Sequence, residues 1–330
     1  MAKSENILFG DRLDAAAREK KSVAVVGLDP TMALLPPDLA KKAKSSGDGL
    51  VEAFAEFAVG IIGSVGDLVP AVKPNIAFYE AHGLSGLAIY KPLCLAAANH
   101  GLLVIGDVKR GDIGSTAEAY AHGLLDGQYT DFNTLELDMN PSEMRMRIGS
   151  LLGPHDALTL NAYLGSDSVL PFIERGAPRG QGFFMLVKTS NPSSAELQDL
   201  KLEGGGTVAE HVAGMVRSWG AGHIGGSGLS AVGAVVGATH PTELARYREL
   251  MPEAPFLVPG YGAQGGSADD VVSAFREDGS GAIVNASRSI LGAWKEENNP
   301  SDWRGAARRA VEAMNADLRG ALERAGRWGF

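Results

Sequence analysis

Leu102-Leu103-Val104-Ile105-Gly106-Asp107-Val108-Lys109-Arg110-Gly111-Asp112 is an apolar run that breaks abruptly into charge. Residues of strand type lead into Asp-x-Lys, and a second carboxylate, Asp112, follows on the turn. Side chains along a strand alternate between its two faces, so Asp107 and Lys109 are expected to project to the same side. Ala117-Glu118-Ala119-Tyr120-Ala121 then reads as helix. A surface ion pair needs no strand to present it, so the cluster reads as a site at the end of a buried strand.

The same beat recurs along the chain. Val23–Val26 ends at Asp29, Ala71-Val72 at Lys73, and Ala157–Leu160 at Asn161. Phe183–Val187 ends at Lys188, Val232–Val236 at Gly237, Pro255–Val258 at Pro259 and Ala282–Val284 at Asn285. With the stretch around Asp107 this makes eight runs, each followed by a helical pattern. Continuous rather than alternating apolar runs suit parallel strands covered on both faces. Eight of them predict an α/β fold, a (β/α)8 TIM barrel forming a single domain over 1–330, with its functional residues at the C-terminal ends of the strands. An open doubly wound sheet is the alternative.

Three segments lie outside the beat. Phe9–Lys20 has the pattern of an amphipathic helix and is expected to plug the bottom of the barrel. The stretch 126–154 is long for a helix-to-strand connection and reads as an insert before strand four, with a helix of its own over Pro141–Ile148 and a structural or oligomeric role. Over 302–327, Trp303, Ala307, Val311, Met314, Leu318 and Leu322 recur at helical spacing, predicting a C-terminal helix packed on the outside of the barrel.

Composition sets the class. Of 330 residues 45% are hydrophobic and 21% charged, enough to bury a substantial core. A net charge of −9 argues against a partner such as nucleic acid or anionic membrane held by the overall field, while leaving room for a local cationic pocket. Met1–Asn6 has no apolar core of signal-peptide type, and no run approaches the ~18 apolar residues of a membrane span, so a cytoplasmic enzyme is expected. Cys94, the one cysteine, cannot form an internal disulfide and, set in Pro92-Leu93-Cys94-Leu95-Ala96, reads as a buried core thiol.

Gly260-Tyr261-Gly262-Ala263-Gln264-Gly265 matches G-x-G-x-x-G, but it follows the seventh strand and no acidic residue ends the next one. A dinucleotide site is therefore not expected. Glycines here let backbone N–H groups approach an anion, and Arg288 after strand eight supplies a cationic fork, at the frequent phosphate site of such barrels. The plain alternative is a tight turn beside a surface arginine.

Gly27-Leu28-Asp29-Pro30, Val72-Lys73-Pro74-Asn75, Asp107-Val108-Lys109-Arg110-Gly111-Asp112-Ile113, Thr189-Ser190-Asn191-Pro192, Pro259-Gly260-Tyr261-Gly262-Ala263-Gln264-Gly265-Gly266 and Ser287-Arg288-Ser289 occur in that order. Together they resemble orotidine 5′-phosphate decarboxylases, specifically the second bacterial subfamily, from about Val23 to Leu291. The resemblance implies decarboxylation of orotidine 5′-monophosphate to uridine 5′-monophosphate without a cofactor or metal. It implies that Lys109 protonates C6 of the pyrimidine and that Asp107 lies beside the substrate carboxylate. Lys73 completes a Lys-Asp-Lys-Asp array and, with Asp29, contacts the ribose hydroxyls. Ser190 contacts the pyrimidine, while Pro259, Tyr261 through its backbone, Gln264 and Arg288 line the phosphate end. Asp112 and Thr116 are implied to reach the partner's site in a homodimer. Taken alone, Lys73 or Asp29 could be an ordinary strand-end charge, and Thr116 a helix-start residue.

One departure is Ala162, in Asn161-Ala162-Tyr163-Leu164-Gly165, where the subfamily commonly has proline. Two other readings stay open. Sugar-phosphate decarboxylases and aldolases share Asp-x-Lys-x-x-Asp, but they typically use a metal and carry glutamate where this chain has Lys73. A non-catalytic sensor that kept the barrel would bind uridine phosphates without turnover.

Overall fold

The computed structural model describes residues 7–45, 47–126, 153–238, 241–262 and 265–330. The apolar runs form β1 (Ala24–Leu28), β2 (Ala71–Pro74), β3 (Leu103–Arg110), β4 (Ala157–Leu160), β5 (Gly182–Lys188), β6 (Val232–Val236), β7 (Phe256–Pro259) and β8 (Ala282–Ala286). They pair in parallel in sequence order. The ring closes at β1, where Val25 has Ala71 on one side and Asn285 on the other. This is the predicted (β/α)8 barrel, and the open sheet is excluded. Strands β1, β4, β6 and β8 are buried along their whole length, as expected of strands covered on both faces.

The N-terminal helix, Phe9–Lys20, closes the floor. Phe9 is fully buried and meets Phe184 of β5 edge-on at 5.9 Å between ring centroids. The first residue of β5 is a glycine for a steric reason: a Cβ on Gly182 would lie 2.1 Å from the Phe9 ring. Asp11 accepts hydrogen bonds from the backbone N–H groups of Gly226 and Ser227 and pins the helix to the loop before β6.

The C-terminal helix runs Trp303–Arg324, and the six residues picked out by periodicity are all buried. It packs on helix Gly49–Val65, where Gly60 makes room for Trp303 and the Phe57 ring lies 5.1 Å from the indole. Of the insert, 127–152 lie outside the described residues, including the predicted helix Pro141–Ile148. At its near end Asp126 is held by Arg175, Arg179 and His122. Cys94 is a free core thiol, and burial pushes its pKa up. Among the described residues, no helix is long and apolar enough to cross a membrane.

Candidate active site

The C-terminal ends of the strands surround a cavity of about 730 Å³. Its polar wall is built from Asp29 after β1, Lys73 on β2, Asp107 and Lys109 on β3, and Asn285 on β8. Leu186, Val235 and Leu257, from β5, β6 and β7, form an apolar side opposite. One half of the cavity thus offers fixed charge and the other a dry surface.

Asp107 is the hub. Its Oδ2 accepts from Lys73 Nζ at 2.6 Å and its Oδ1 from Lys109 Nζ at 2.5 Å. The Asp107 and Lys73 side chains are 8% and 7% exposed, whereas Lys109 is 48% exposed and reaches into the open cavity. Burial works to raise the pKa of Asp107, but the two ammonium groups outweigh it and hold the carboxyl well below its ordinary range. Burial likewise opposes the charge of Lys73, but Asp107 and Asp29 overcome it and raise that pKa. Asp107 and Lys73 therefore hold each other in their charged forms.

The pairing of Asp107 with Lys109 has a different origin from simple strand alternation. Gly106 pairs with Leu158 and Arg110 with Leu160, so Asp107, Val108 and Lys109 bulge opposite the single residue Thr159. Lys109 sits in the left-handed region with φ 46°, which a lysine adopts at a cost. The bulge, rather than the period-two pleat, delivers Lys109 to Asp107.

Other predicted residues fall into three groups. Ser190, Pro259, Tyr261 and Arg288 line the same cavity, and Asp29 lies close enough to Lys73 to influence its charge. The Tyr261 hydroxyl, however, donates to Asp317 on the C-terminal helix at 2.7 Å, which leaves the backbone as its means of binding an anion. Gly260 and Gly262 there have φ of 101° and 69°, a conformation glycine adopts without strain. Gln264 lies outside the described residues. Asp112 and Thr116 are not in the cavity wall of their own chain; Asp112 Oδ1 accepts from the N–H of Ile113 at 2.8 Å, and Thr116 is exposed.

Thr159 and Ser287 line the cavity without having been assigned a role from the sequence, and Asn285, read there only as the end of strand eight, joins them. Buried oxygens of Asp29, Asn285 and Ser287 have no hydrogen-bond partner among the described residues, which leaves this flank able to meet a polar ligand. The available signal was a polar residue interrupting or ending an otherwise apolar strand. In the loop after β4, Ala162 still closes a turn, its carbonyl accepting from Gly165 N–H at 2.9 Å.

A sequence profile of the orotidine 5′-phosphate decarboxylase / HUMPS family matches residues 23–135 and 152–299. The chain is 42% identical over 318 residues to the orotidine 5′-phosphate decarboxylase of Rhodopirellula baltica, covering 94% of this chain and 99% of the relative. It is 40% identical over 291 residues to the enzyme of that name from Caldicellulosiruptor bescii, covering 87% of this chain and 90% of the other. Among solved structures, Leishmania donovani OMP decarboxylase superposes with a TM-score of 0.65 at 31% identity, covering 94% of this chain and 99% of that one. Leishmania donovani UMP synthase superposes with a TM-score of 0.69 at 34% identity, and there 94% of this chain spans 57% of the longer protein. On the profile match and these near full-length relatives, the chain belongs to the orotidine 5′-phosphate decarboxylase / HUMPS family.

Proposed function

We propose that this protein converts orotidine 5′-monophosphate to uridine 5′-monophosphate and carbon dioxide, the last step of UMP synthesis, using its own side chains and no cofactor. The observation that carries this reading is the Lys73–Asp107–Lys109 array in the cavity wall, in which Lys73 and Asp107 are buried and Lys109 reaches into the open cavity. Breaking the bond between C6 and the carboxylate leaves an electron pair in an sp² orbital with no carbonyl positioned to delocalise it. That charge must be met by a preorganised cation and quenched by a proton. The Lys109 ammonium does both: it stabilises the developing carbanion and transfers its Nζ proton to C6 as carbon dioxide leaves. Asp107, kept ionised by its two lysines, orients Lys109 and stands beside the substrate carboxylate. Lys73 and Asp29 hold the ribose hydroxyls and Ser190 the pyrimidine.

Arg288 and the backbone around Pro259 and Tyr261, with Gln264, hold the phosphate. Binding energy from that remote group serves to press the pyrimidine against the array. A buried lysine at position 73, rather than a metal-binding carboxylate, favours this reading over a sugar-phosphate enzyme.

The working unit in this proposal is a homodimer in which Asp112 and Thr116 complete the partner's site. Support comes from their absence from their own cavity wall and from exposed apolar side chains nearby, Ile113 at 53% and Tyr163 at 75%. A cytoplasmic location belongs to the same proposal. The test is ultraviolet absorbance after mixing purified protein with orotidine 5′-monophosphate in the presence of a chelator. Conversion to the uridine 5′-monophosphate spectrum is expected. A folded protein that leaves the spectrum unchanged overturns the reading.

A further inference from the structure

We infer that Thr159 is a positioning residue for the decarboxylation, holding Asp107 and the backbone of Lys109 in their working geometry through one hydroxyl. Thr159 lies on β4 directly opposite the bulge of β3 and is buried at the base of the cavity. Its Oγ1–H donates to Asp107 Oδ1 at 2.9 Å. The same oxygen accepts from the Lys109 backbone N–H at 3.1 Å. A hydroxyl has one proton to give and lone pairs to receive, so both bonds form at once without competition.

The two bonds act where the array is most open to disorder. Lys109 is one of the few described non-glycine residues with positive φ, and a strained conformation persists only when its surroundings over-determine it. The bulge interrupts the regular β3–β4 ladder at this point, and the Thr159 hydroxyl receives the N–H of Lys109 there. At Asp107 the hydroxyl shares Oδ1 with Lys109 Nζ while Lys73 binds Oδ2, so the carboxylate plane is fixed from three directions. Thr159 thus ties the carboxylate to the strained backbone of the proton donor. Serine keeps both bonds. Valine, of nearly the same shape, keeps neither.

This inference rests on the proposed role of Lys109, and the experiment separates the two. Steady-state kinetics on orotidine 5′-monophosphate are measured for the wild type and for Lys109→Ala, Thr159→Val and Thr159→Ser, with thermal melts of each. Thr159→Val is expected to lower kcat about 10- to 100-fold, the scale of a lost hydrogen bond to a charged group, with KM within about threefold of wild type. Thr159→Ser is expected to restore most of kcat. A purely structural threonine would lower the melting temperature of the valine variant and leave the kcat of the folded enzyme unchanged, and that result overturns the inference. So does a serine variant as impaired as valine. Should valine not be accommodated, Thr159→Ala removes the same hydroxyl and is read by the same split between kcat and KM. Turnover by Lys109→Ala at the wild-type rate would instead overturn the proposed role of Lys109, whatever the threonine variants do.

Discussion

Asp107 Oδ2 accepts a 2.6 Å hydrogen bond from Lys73 Nζ, and both side chains are buried. Removing one partner of such a pair leaves the other charge uncompensated in a place where it cannot be hydrated. Asp107→Asn is therefore expected to destabilise the protein by about 3 kcal/mol at neutral pH, measured by urea unfolding. The pH dependence has a definite sign. A carboxyl held below its ordinary pKa contributes its full stabilisation above the unfolded value of 3.8 and loses it as pH falls toward the folded value. The gap between wild type and variant should therefore shrink at about pH 2.5. A gap that stayed constant would mean that Asp107 is not held by charge.

His155 makes a second pH-dependent contribution, of different origin. Its Nδ1 lies 2.8 Å from the Leu124 carbonyl and its Nε2 lies 3.1 Å from the Tyr90 hydroxyl. The carbonyl can only accept, so Nδ1 carries the proton and Tyr90 donates to Nε2. Burial disfavours the imidazolium and lowers the pKa to about 4 from an ordinary 6.5. The unfolded chain binds this proton first, so stability is full above about pH 6.5 and declines down to about pH 4, by roughly 3 kcal/mol in all. His155→Gln should flatten that part of the curve. A wild-type imidazole that titrates near pH 6.5 by NMR would contradict the buried neutral form.

Arg288 lies at the start of helix Arg288–Leu291 and faces the cavity beside the glycine-rich loop after β7. With Arg288→Ala, kcat/KM for orotidine 5′-monophosphate should fall about 100-fold, the scale of losing charge-assisted hydrogen bonds. Orotidine, which lacks the phosphate, should be turned over equally poorly by both proteins. An equal loss on both substrates would detach Arg288 from the phosphate.

The shared site in the proposed homodimer makes a sharper prediction than the oligomeric state does. Lys109→Ala and Asp112→Ala should each be nearly inactive alone. Mixed subunits should regain roughly a quarter of wild-type activity, since half the dimers are hybrid and each hybrid has one intact site. Absence of recovery after demonstrated subunit exchange would assign Asp112 to its own chain's site or to neither.

Much of this was legible in the sequence because parallel strands buried on both faces announce themselves as apolar runs ending in polar residues. Phe9–Lys20 and the C-terminal helix followed from periodicity for the same reason. The site was legible where charge breaks an apolar run, as at Asp107 and Lys109. Its geometry was not. Strand alternation predicted the right neighbours for the wrong reason, because a bulge is a property of two paired strands and the register of β3 on β4 is not written in either one. Thr159 escaped notice because threonine is an ordinary strand residue, and only the neighbouring strand turns its hydroxyl into a tether. The Tyr261 hydroxyl was likewise beyond local reading, since its partner Asp317 lies on the distant C-terminal helix.

The central claim is that Lys109 gives its proton to C6, and the most direct test is turnover in D2O. The wild type should yield uridine 5′-monophosphate carrying one deuterium at C6, detected by NMR and mass spectrometry. Lys109→Ala should lose at least about 10³-fold in kcat while remaining folded and able to bind uridine 5′-monophosphate. A folded Lys109→Ala variant that releases carbon dioxide at close to the wild-type rate would contradict the account.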